Sequence, residues 1–361
     1  ISSGLVGSEM CIRDRITCTY KIKDISTNSS LMDDLRPKNK LYQDLKLTEK
    51  YFGGVLPFEV LIKTNERKND EDTSVLNQKI LEITKKVESI LKSELKNSRF
   101  FSINDLVASA KRIHSKTLTK MSDEKIIKQI VKNQSSQQMK LINDNQTILR
   151  ITGLIEDKTS DEMKMIYSKL DSISKVFSDY IELEYTGTTV VALKTNDYLV
   201  QSLVNSLGLA LILISIIMAF MFRANSILFA SLITNLIPIF TVLGILAWMG
   251  ISIRPPTAMT FAVALGIAVD DSLHFLLRYR KELRNGQNRV DAIKATIMNT
   301  GSALLITTSV LVAGFSVLLL SAFLPTYQFG LLSAVMIGTA LICDLTLLPA
   351  LCLVLPNPNK K

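Results

Sequence analysis

Histidine and cysteine are scarce: the 361 residues include only two histidines and four cysteines. No two cysteines form a CxxC pair, and Cys343 and Cys352 fall in apolar segments, so neither a disulfide framework nor a zinc site is expected. The sequence also lacks a nucleophile–base pattern, a glycine loop that could hold a phosphate, and metal-ligand spacing. We therefore expect no cofactor, and an enzyme is the least favoured class of function.

Aromatic residues make up 7% of the chain, with a single tryptophan, although the net charge is +9. The positive charges do not cluster with aromatic side chains, so nucleic acid is not an expected partner. Many of them instead flank hydrophobic segments, where they carry information about membrane topology.

Long hydrophobic runs are abundant, but only in the second half of the chain. A bilayer core of about 30 Å requires about 20 apolar residues in a helix. Five segments meet this condition, and they predict an all-α transmembrane bundle over residues 201–356: 203–222, 227–248, 257–277, 301–324 and 329–355. Residues 357–361 are then a cytoplasmic tail. Residues 1–15, which resemble translated adapter DNA, are expected to be a sequencing artefact.

Basic residues predict the orientation of this bundle. They follow the first, third and fifth hydrophobic segments, for example Arg223, Arg278 and Lys360, whereas the opposite joints hold only Arg254 and an uncharged loop. By the positive-inside rule the first set is cytoplasmic, so residues 16–200 lie outside the cell or in the periplasm. We expect a multi-pass protein of the inner or plasma membrane. Residues 285–299 are either a short helix on the cytoplasmic membrane surface or a simple connector.

Polar residues interrupt four of the five segments at similar depths. At about 1.5 Å per residue, Asp270, Asp344 and Asn235 lie roughly 20 Å from the outer surface, and Thr307 and Thr308 roughly 25 Å. Intramembrane carboxyl groups need a partner, water or a proton, so Asp270 and Asp271 are the predicted proton relay. Asp344, His274, Thr307, Thr308 and Asn235 are candidate partners, and Gly266 would let another helix approach closely. The alternative is that these carboxyl groups are structural.

Residues 16–200 show alternating strand and helix patterns. Strands are predicted at 55–63, 99–103, 147–155 and 181–185, and helices at 74–95, from 104 to about 116, within 122–143, and at 159–178. Two strand–helix–strand units favour an α+β domain of the split β-α-β, ferredoxin-like type with helices on one face of the sheet.

Several of these segments resemble the RND superfamily, and more narrowly its MMPL-type exporters, which are related to Patched and the sterol-sensing domain. The resemblance lies in GIAVDDSLHFLLRYRKEL (266–283), NLIPIFTVLGILAWMGI (235–251), FLPTYQFGLLSAV (323–335) and DLTLLPAL (344–351), with KYFGG (50–54) a looser match to the extracytoplasmic porter domain. It implies that the chain is the C-terminal half of a two-half transporter, with the relay acids on Asp270 and Asp271.

The expected function is export of lipids or hydrophobic compounds, driven by the proton-motive force. The implied partners are the bilayer, the hydrophobic substrate, the N-terminal half of the same transporter, and a second copy in a homo-oligomer. Two alternatives remain open: an accessory to Sec-dependent protein export, and a sterol- or lipid-sensing module that does not transport.

Overall fold

Alternating apolar residues in the first half of the chain form a small antiparallel sheet. The computed structural model describes residues 28, 30–64, 78–113, 123, 126–127 and 140–356. Within these, the strands are β1 (Leu56–Thr64), β2 (Arg99–Phe101), β3 (Ile148–Ile155) and β4 (Ile181–Thr186), in the order β2-β3-β1-β4. Every neighbouring pair is antiparallel, and Val60 on β1 lies opposite Ile151 on β3 and Tyr185 on β4. Strands are thus found at all four predicted places.

Among the described residues, four α-helices accompany this sheet: α1 (Lys40–Phe52), α2 (Gln78–Glu94), α3 (Ile103–Ile113) and α4 (Ser160–Val176). Phe58, Val60 and Ile62 point to one face of β1 and are fully buried there. The apolar stripes of α2 and α4, with Val87 and Leu170 at their centres, join the same core. This burial is what holds the layer together, because a short sheet with one solvated face is marginal alone. Residues 74–77 and 114–116 and most of the predicted helices within 122–143 lie outside the described residues.

The second compact unit begins at Asn196, within a helix that starts earlier. Its helices are α5 (Thr188–Phe222), α6 (Asn225–Met249), α7 (Pro255–Arg284), α8 (Arg289–Thr296), α9 (Ser302–Val317), α10 (Leu324–Ile342) and α11 (Leu348–Val354). Two π-helical turns, Ile297–Gly301 and Cys343–Leu347, and a 3₁₀ turn at Leu318–Leu320 join several of these end to end. The described residues therefore contain five continuous helices that are long and apolar enough to cross a membrane.

The observed helix bounds correct two of the sequence-based ones. The first long helix begins at Thr188 rather than near residue 203. Within residues 285–299, expected to be a short helix or a connector, a helix begins at Arg289 and continues without a break to Leu320 as the fourth long helix. Ala292, Ile293 and Thr296 on α8 are buried, and Ala292 and Ile293 pack with Tyr279 of α7 and Leu348 of α11. This apolar face ties the start of the fourth long helix to the rest of the bundle.

Burial is unevenly distributed among the five long helices. In the most apolar window of α6, of α7 and of the helix from Leu324 to Val354, 44–50% of residues are buried; the corresponding figures are 6% for α5 and 11% for the helix from Arg289 to Leu320. The second, third and fifth long helices therefore form the centre of the unit, and the other two expose most of their apolar surface. Buried polar side chains on these three central helices are shielded from solvent, so their available hydrogen-bond partners are mainly one another.

Candidate site: a buried polar cluster

Asp270 and Asp271 are adjacent on α7 but face in different directions. Successive residues of an α-helix are rotated by about 100°. Asp271 is only 8% exposed, whereas the side chain of Asp270 is 66% exposed. The acidic pair is thus divided between the interior of the bundle and its outer surface.

The interior side chains meet at the hydroxyl group of Ser272. Its Oγ lies 3.0 Å from Asn235 Oδ1 on α6 and 2.7 Å from Asp344 Oδ1 in the π-helical turn before α11. Asn235 in turn donates from Nδ2 to Ser231 Oγ at 3.2 Å. Ser272, Asn235 and Asp344 are all buried, so the cluster joins the second, third and fifth long helices without contact with solvent.

The cluster has fewer donor hydrogens than it needs for every oxygen–oxygen contact in it to be a hydrogen bond. Ser272 Oγ can donate once, yet it lies within bonding distance of Asn235 Oδ1, Asp344 Oδ1 and its own helix carbonyl at Ala268, 3.0 Å away. Turning the Asn235 amide by 180° supplies one more hydrogen, since amide orientation is an assignment. A proton on Asp344 supplies another. Asp344 Oδ2 is itself buried with no hydrogen-bond partner among the described residues.

The backbone around Asp344 is unusual for a membrane helix. Residues Cys343–Leu347 form a π-helical turn, and Asp344 is 1% exposed within it. π-Helical turns insert an extra residue into a helix and occur frequently at functional sites. Here the turn carries a carboxyl group into the centre of an apolar bundle.

Asp271 makes a separate contact with the fourth long helix. Thr308 Oγ1, on α9, donates to Asp271 Oδ2 at 3.3 Å, and both residues are buried. Thr307 does not share this role: it is exposed, and its hydroxyl bonds the carbonyls of Ala303 and Leu304 in its own helix. Thr307 lies next to Thr308, but the step of about 100° per residue turns its side chain away from Asp271, so among the described residues it is Thr308 that contacts the acid.

The outer face of α7 carries the remaining predicted residues. His274 Nε2 lies 3.6 Å from Asp270 Oδ1, one helical turn away, and both side chains are more than 60% exposed. Gly266, one turn before Asp270, is also exposed, and a Cβ placed there would meet no described atom within 4 Å. The expectation that another helix packs closely on Gly266 is thus not met by the described helices of this chain.

Sequence reasoning missed Ser272, which holds the cluster together. A signal for it exists: Leu265, Ala268, Ser272, Phe275 and Tyr279 recur at helical spacing and are all buried, so Ser272 is the polar member of an apolar stripe. Among the described residues, no group of three His, Cys, Asp or Glu side chains could hold a metal ion. What the described contacts show at this site is hydrogen bonding between neighbouring helices.

The five apolar helices and the polar groups between them define a multi-pass membrane protein. The model of the MMPL family matches residues 80–358, which is most of the sequence. The chain belongs to the MMPL family.

Three proteins are similar to this chain in sequence. The protein MJ1562 of Methanocaldococcus jannaschii is 28% identical over 237 residues, covering 64% of this chain and 60% of that protein. The protein ActII-3 of Streptomyces coelicolor is 35% identical over 28% of this chain and 14% of its own length. The multidrug resistance protein MdtC of Serratia proteamaculans is 30% identical over 42% of this chain and 15% of its own length. The chain therefore matches less than two thirds of the length of each.

Removing the Ser272 hydroxyl should destabilise the bundle more than removing an equivalent hydroxyl elsewhere. Ser272→Ala leaves neither oxygen of Asp344 with a described partner, which costs about 1–3 kcal/mol for a buried polar group. Ser316→Ala is the matched control, because Ser316 Oγ bonds only the carbonyl of Val312 in its own helix. Thermal unfolding of the purified protein in detergent measures both.

The double variant Ser272→Ala/Asp344→Leu should recover part of the lost stability, since the buried carboxyl group is then gone and only Asn235 Oδ1 still lacks the Ser272 hydroxyl. Equal losses for Ser272→Ala and Ser316→Ala would show that the shared hydroxyl does not hold the helices together.

Proposed function

We propose that this chain is part of a proton-driven membrane transporter of the RND/MMPL kind, rather than an enzyme, and that it exports lipids or other hydrophobic compounds. The observation that carries the proposal is the pair of buried aspartates, Asp271 and Asp344, inside a bundle of predominantly apolar helices. An aspartate at the centre of a membrane helix costs about 2.5–3.5 kcal/mol on the insertion scale. Such residues typically mark ion or proton pathways.

The energetic requirement for such a transporter is modest. One proton crossing a potential of 100 mV releases about 2.3 kcal/mol, so a few protons per cycle are enough to drive a conformational change. Asp271 and Asp344 bond to different long helices, α9 through Thr308 and α6 through Ser272 and Asn235. Gain or loss of a proton at either carboxyl group therefore changes contacts between helices, which is how a proton would be coupled to movement.

The outer face of α7 supports a second part of the proposal. Asp270, His274 and Gly266 lie on one exposed face of a helix that the bilayer would otherwise surround. Leaving these polar side chains in hydrocarbon is costly, so we propose that the partner half of the transporter covers the face and completes the relay through Asp270. The relative MdtC, which carries the name of a multidrug resistance protein, supports export as the direction of transport.

The topology of the small sheet supports assignment of residues 30–195 to a porter-like domain of the ferredoxin type. In the order β2-β3-β1-β4, the connection β1-α2-β2 passes over β3, and the connection β3-α4-β4 passes over β1. Two such split β-α-β units are the pattern of that fold. We propose that this domain is extracytoplasmic, because the basic residues of the membrane unit place the opposite ends of its helices in the cytoplasm.

Proton coupling predicts that Asp271 is required for transport. The test uses the intact protein that contains this chain, reconstituted in liposomes that hold the hydrophobic dye Nile red and carry an imposed pH gradient. Gradient-driven movement of the dye should fall to the level of protein-free liposomes for Asp271→Asn and Asp270→Asn, because the amide cannot carry a proton. Thr307→Val serves as the control and should transport normally, since Thr307 bonds only its own helix.

Unchanged transport by Asp271→Asn, with the same dependence on the gradient, would refute the proton mechanism. Binding of the dye without movement by the wild-type protein would favour the lipid-sensing alternative instead.

The proposed orientation predicts opposite labelling of two exposed lysine positions. In a background with all four cysteines replaced by alanine, Lys175→Cys on α4 should react with a membrane-impermeant maleimide added to whole cells. Lys281→Cys, near the end of α7, should react only after the cells are opened. The reverse pattern would show that the protein is inserted the other way.

A further inference from the structure

A cleft of about 480 Å³ lies in the unit that contains the small sheet (Ser30–Thr195), remote in sequence from the polar cluster. It is formed where the end of α1 meets the start of β2 and the residue that follows β3, Glu156. Binding sites for small molecules commonly measure roughly 300–1,000 Å³. The size of the cleft therefore suits a headgroup or a small metabolite rather than a polypeptide.

The KYFGG segment (50–54) builds the frame of this cleft. Gly53 ends α1 with a φ of 83°, and a Cβ there would lie 2.0 Å from the carbonyl oxygen of Asn97. Gly54, with a φ of 133°, would place a Cβ 2.6 Å from the carbonyl oxygen of Ile155. Both contacts require glycine, because any other side chain would collide with backbone. The two glycines thus fix the end of α1 directly against β2 and β3.

The acidic groups around the cleft are already engaged within the protein. Glu49 accepts from the backbone N–H of Asp157 at 2.6 Å and from Lys46 Nζ at 2.6 Å. Glu156 accepts from Asn97 Nδ2 at 2.5 Å. Burial alone would lower the pKa of Lys46, but the hydrogen bond and charge of Glu49 outweigh it and hold that pKa above its ordinary value. Lys46 is therefore already paired with Glu49.

Two other cations in the lining of the cleft do not form an ion pair of this kind among the described residues. Arg99 and Lys50 are exposed and have no acidic partner within the described part of the chain. Lys50 lies 5.7 Å from the centre of the Tyr51 ring, which is itself 65% exposed. The planar guanidinium of arginine matches the geometry of phosphate and carboxylate oxygens. Among its described lining residues, the cleft thus combines two cations without an acidic partner, an exposed aromatic ring and acids that already accept hydrogen bonds within the protein.

We propose that this cleft binds an anionic phosphate group, with Arg99 and Lys50 as its ligands and Tyr51 packing against the adjoining part of the molecule. Neither the bound group nor its site depends on the proton pathway, so the inference stands apart from the proposed transport. The phosphate could belong to a free metabolite or to a phospholipid headgroup, and the two sources are separable by experiment.

The test measures binding by isothermal titration calorimetry with the full chain in a neutral detergent. The probes are inorganic phosphate, dihexanoyl phosphatidylglycerol and, as an uncharged comparison, dihexanoyl glycerol. Arg99→Gln and Lys50→Gln should each weaken binding of the phosphate probes by about tenfold or more, because each removes a charge-assisted hydrogen bond. Lys175→Gln, which removes an exposed cation outside the cleft, should bind as the wild type does.

Glutamine retains much of the aliphatic part of each side chain, and circular dichroism checks that both variants fold. Tighter binding of phosphatidylglycerol than of phosphate would identify the source as a headgroup, and the converse a free anion. The proposal is overturned if neither phosphate probe binds saturably, if dihexanoyl glycerol binds equally well, or if Arg99→Gln and Lys50→Gln both bind like Lys175→Gln.

Discussion

The hydroxyl group of Ser272 lies within hydrogen-bonding distance of Asn235 on one neighbouring helix and Asp344 on another. In a medium that offers no water, every polar group must find a partner inside the protein. The Ser272 hydroxyl is a hydrogen-bond partner for both the Asn235 and the Asp344 side chains. The second, third and fifth long helices are therefore joined by one set of hydrogen bonds, and an arrangement that separated these three residues would remove these partners from a buried carboxyl and a buried amide group.

The same constraint acts differently on the two adjacent aspartates, because their side chains lie in different environments. Asp271 is buried and bonded to Thr308, so its environment is set by this chain alone. Asp270 faces outward with His274, and its environment depends on whatever covers α7. A change of charge at the first residue would be felt inside the bundle, and at the second on its surface. This division would allow a proton event in one half of a transporter to influence the other.

Much of the architecture could be predicted from the sequence. The four strands and the five long helices follow from periodicity and from the length of apolar runs, which are local properties. Counting residues along each helix also predicted similar depths for Asn235, Asp344 and Thr308, and each of these three contacts Ser272 or Asp271 of α7. What counting cannot provide is rotation: it placed Thr307 and Thr308 in the same layer, although only Thr308 faces Asp271.

The π-helical turns were beyond such reasoning for a related reason. An extra residue in the turn Cys343–Leu347 shifts the faces of the helix by one position, and nothing in the apolar pattern of this segment marks the shift. The sequence did not predict that α8 continues into the fourth long helix, because the mixture of charged and apolar residues in α8 is typical of a separate surface helix. In both cases packing against neighbouring helices decides the outcome, and that information is not local.

The central claim is that the buried carboxyl groups of the bundle take up and release protons. Infrared difference spectroscopy of the purified protein, recorded across a pH step, reports protonated carboxyl groups directly. We predict a carboxylic-acid band that changes with pH and is lost or shifted in both Asp271→Asn and Asp344→Asn, but not in Thr307→Val. A spectrum with no pH-dependent carboxylic-acid band, or a band that neither aspartate variant alters, would contradict the account.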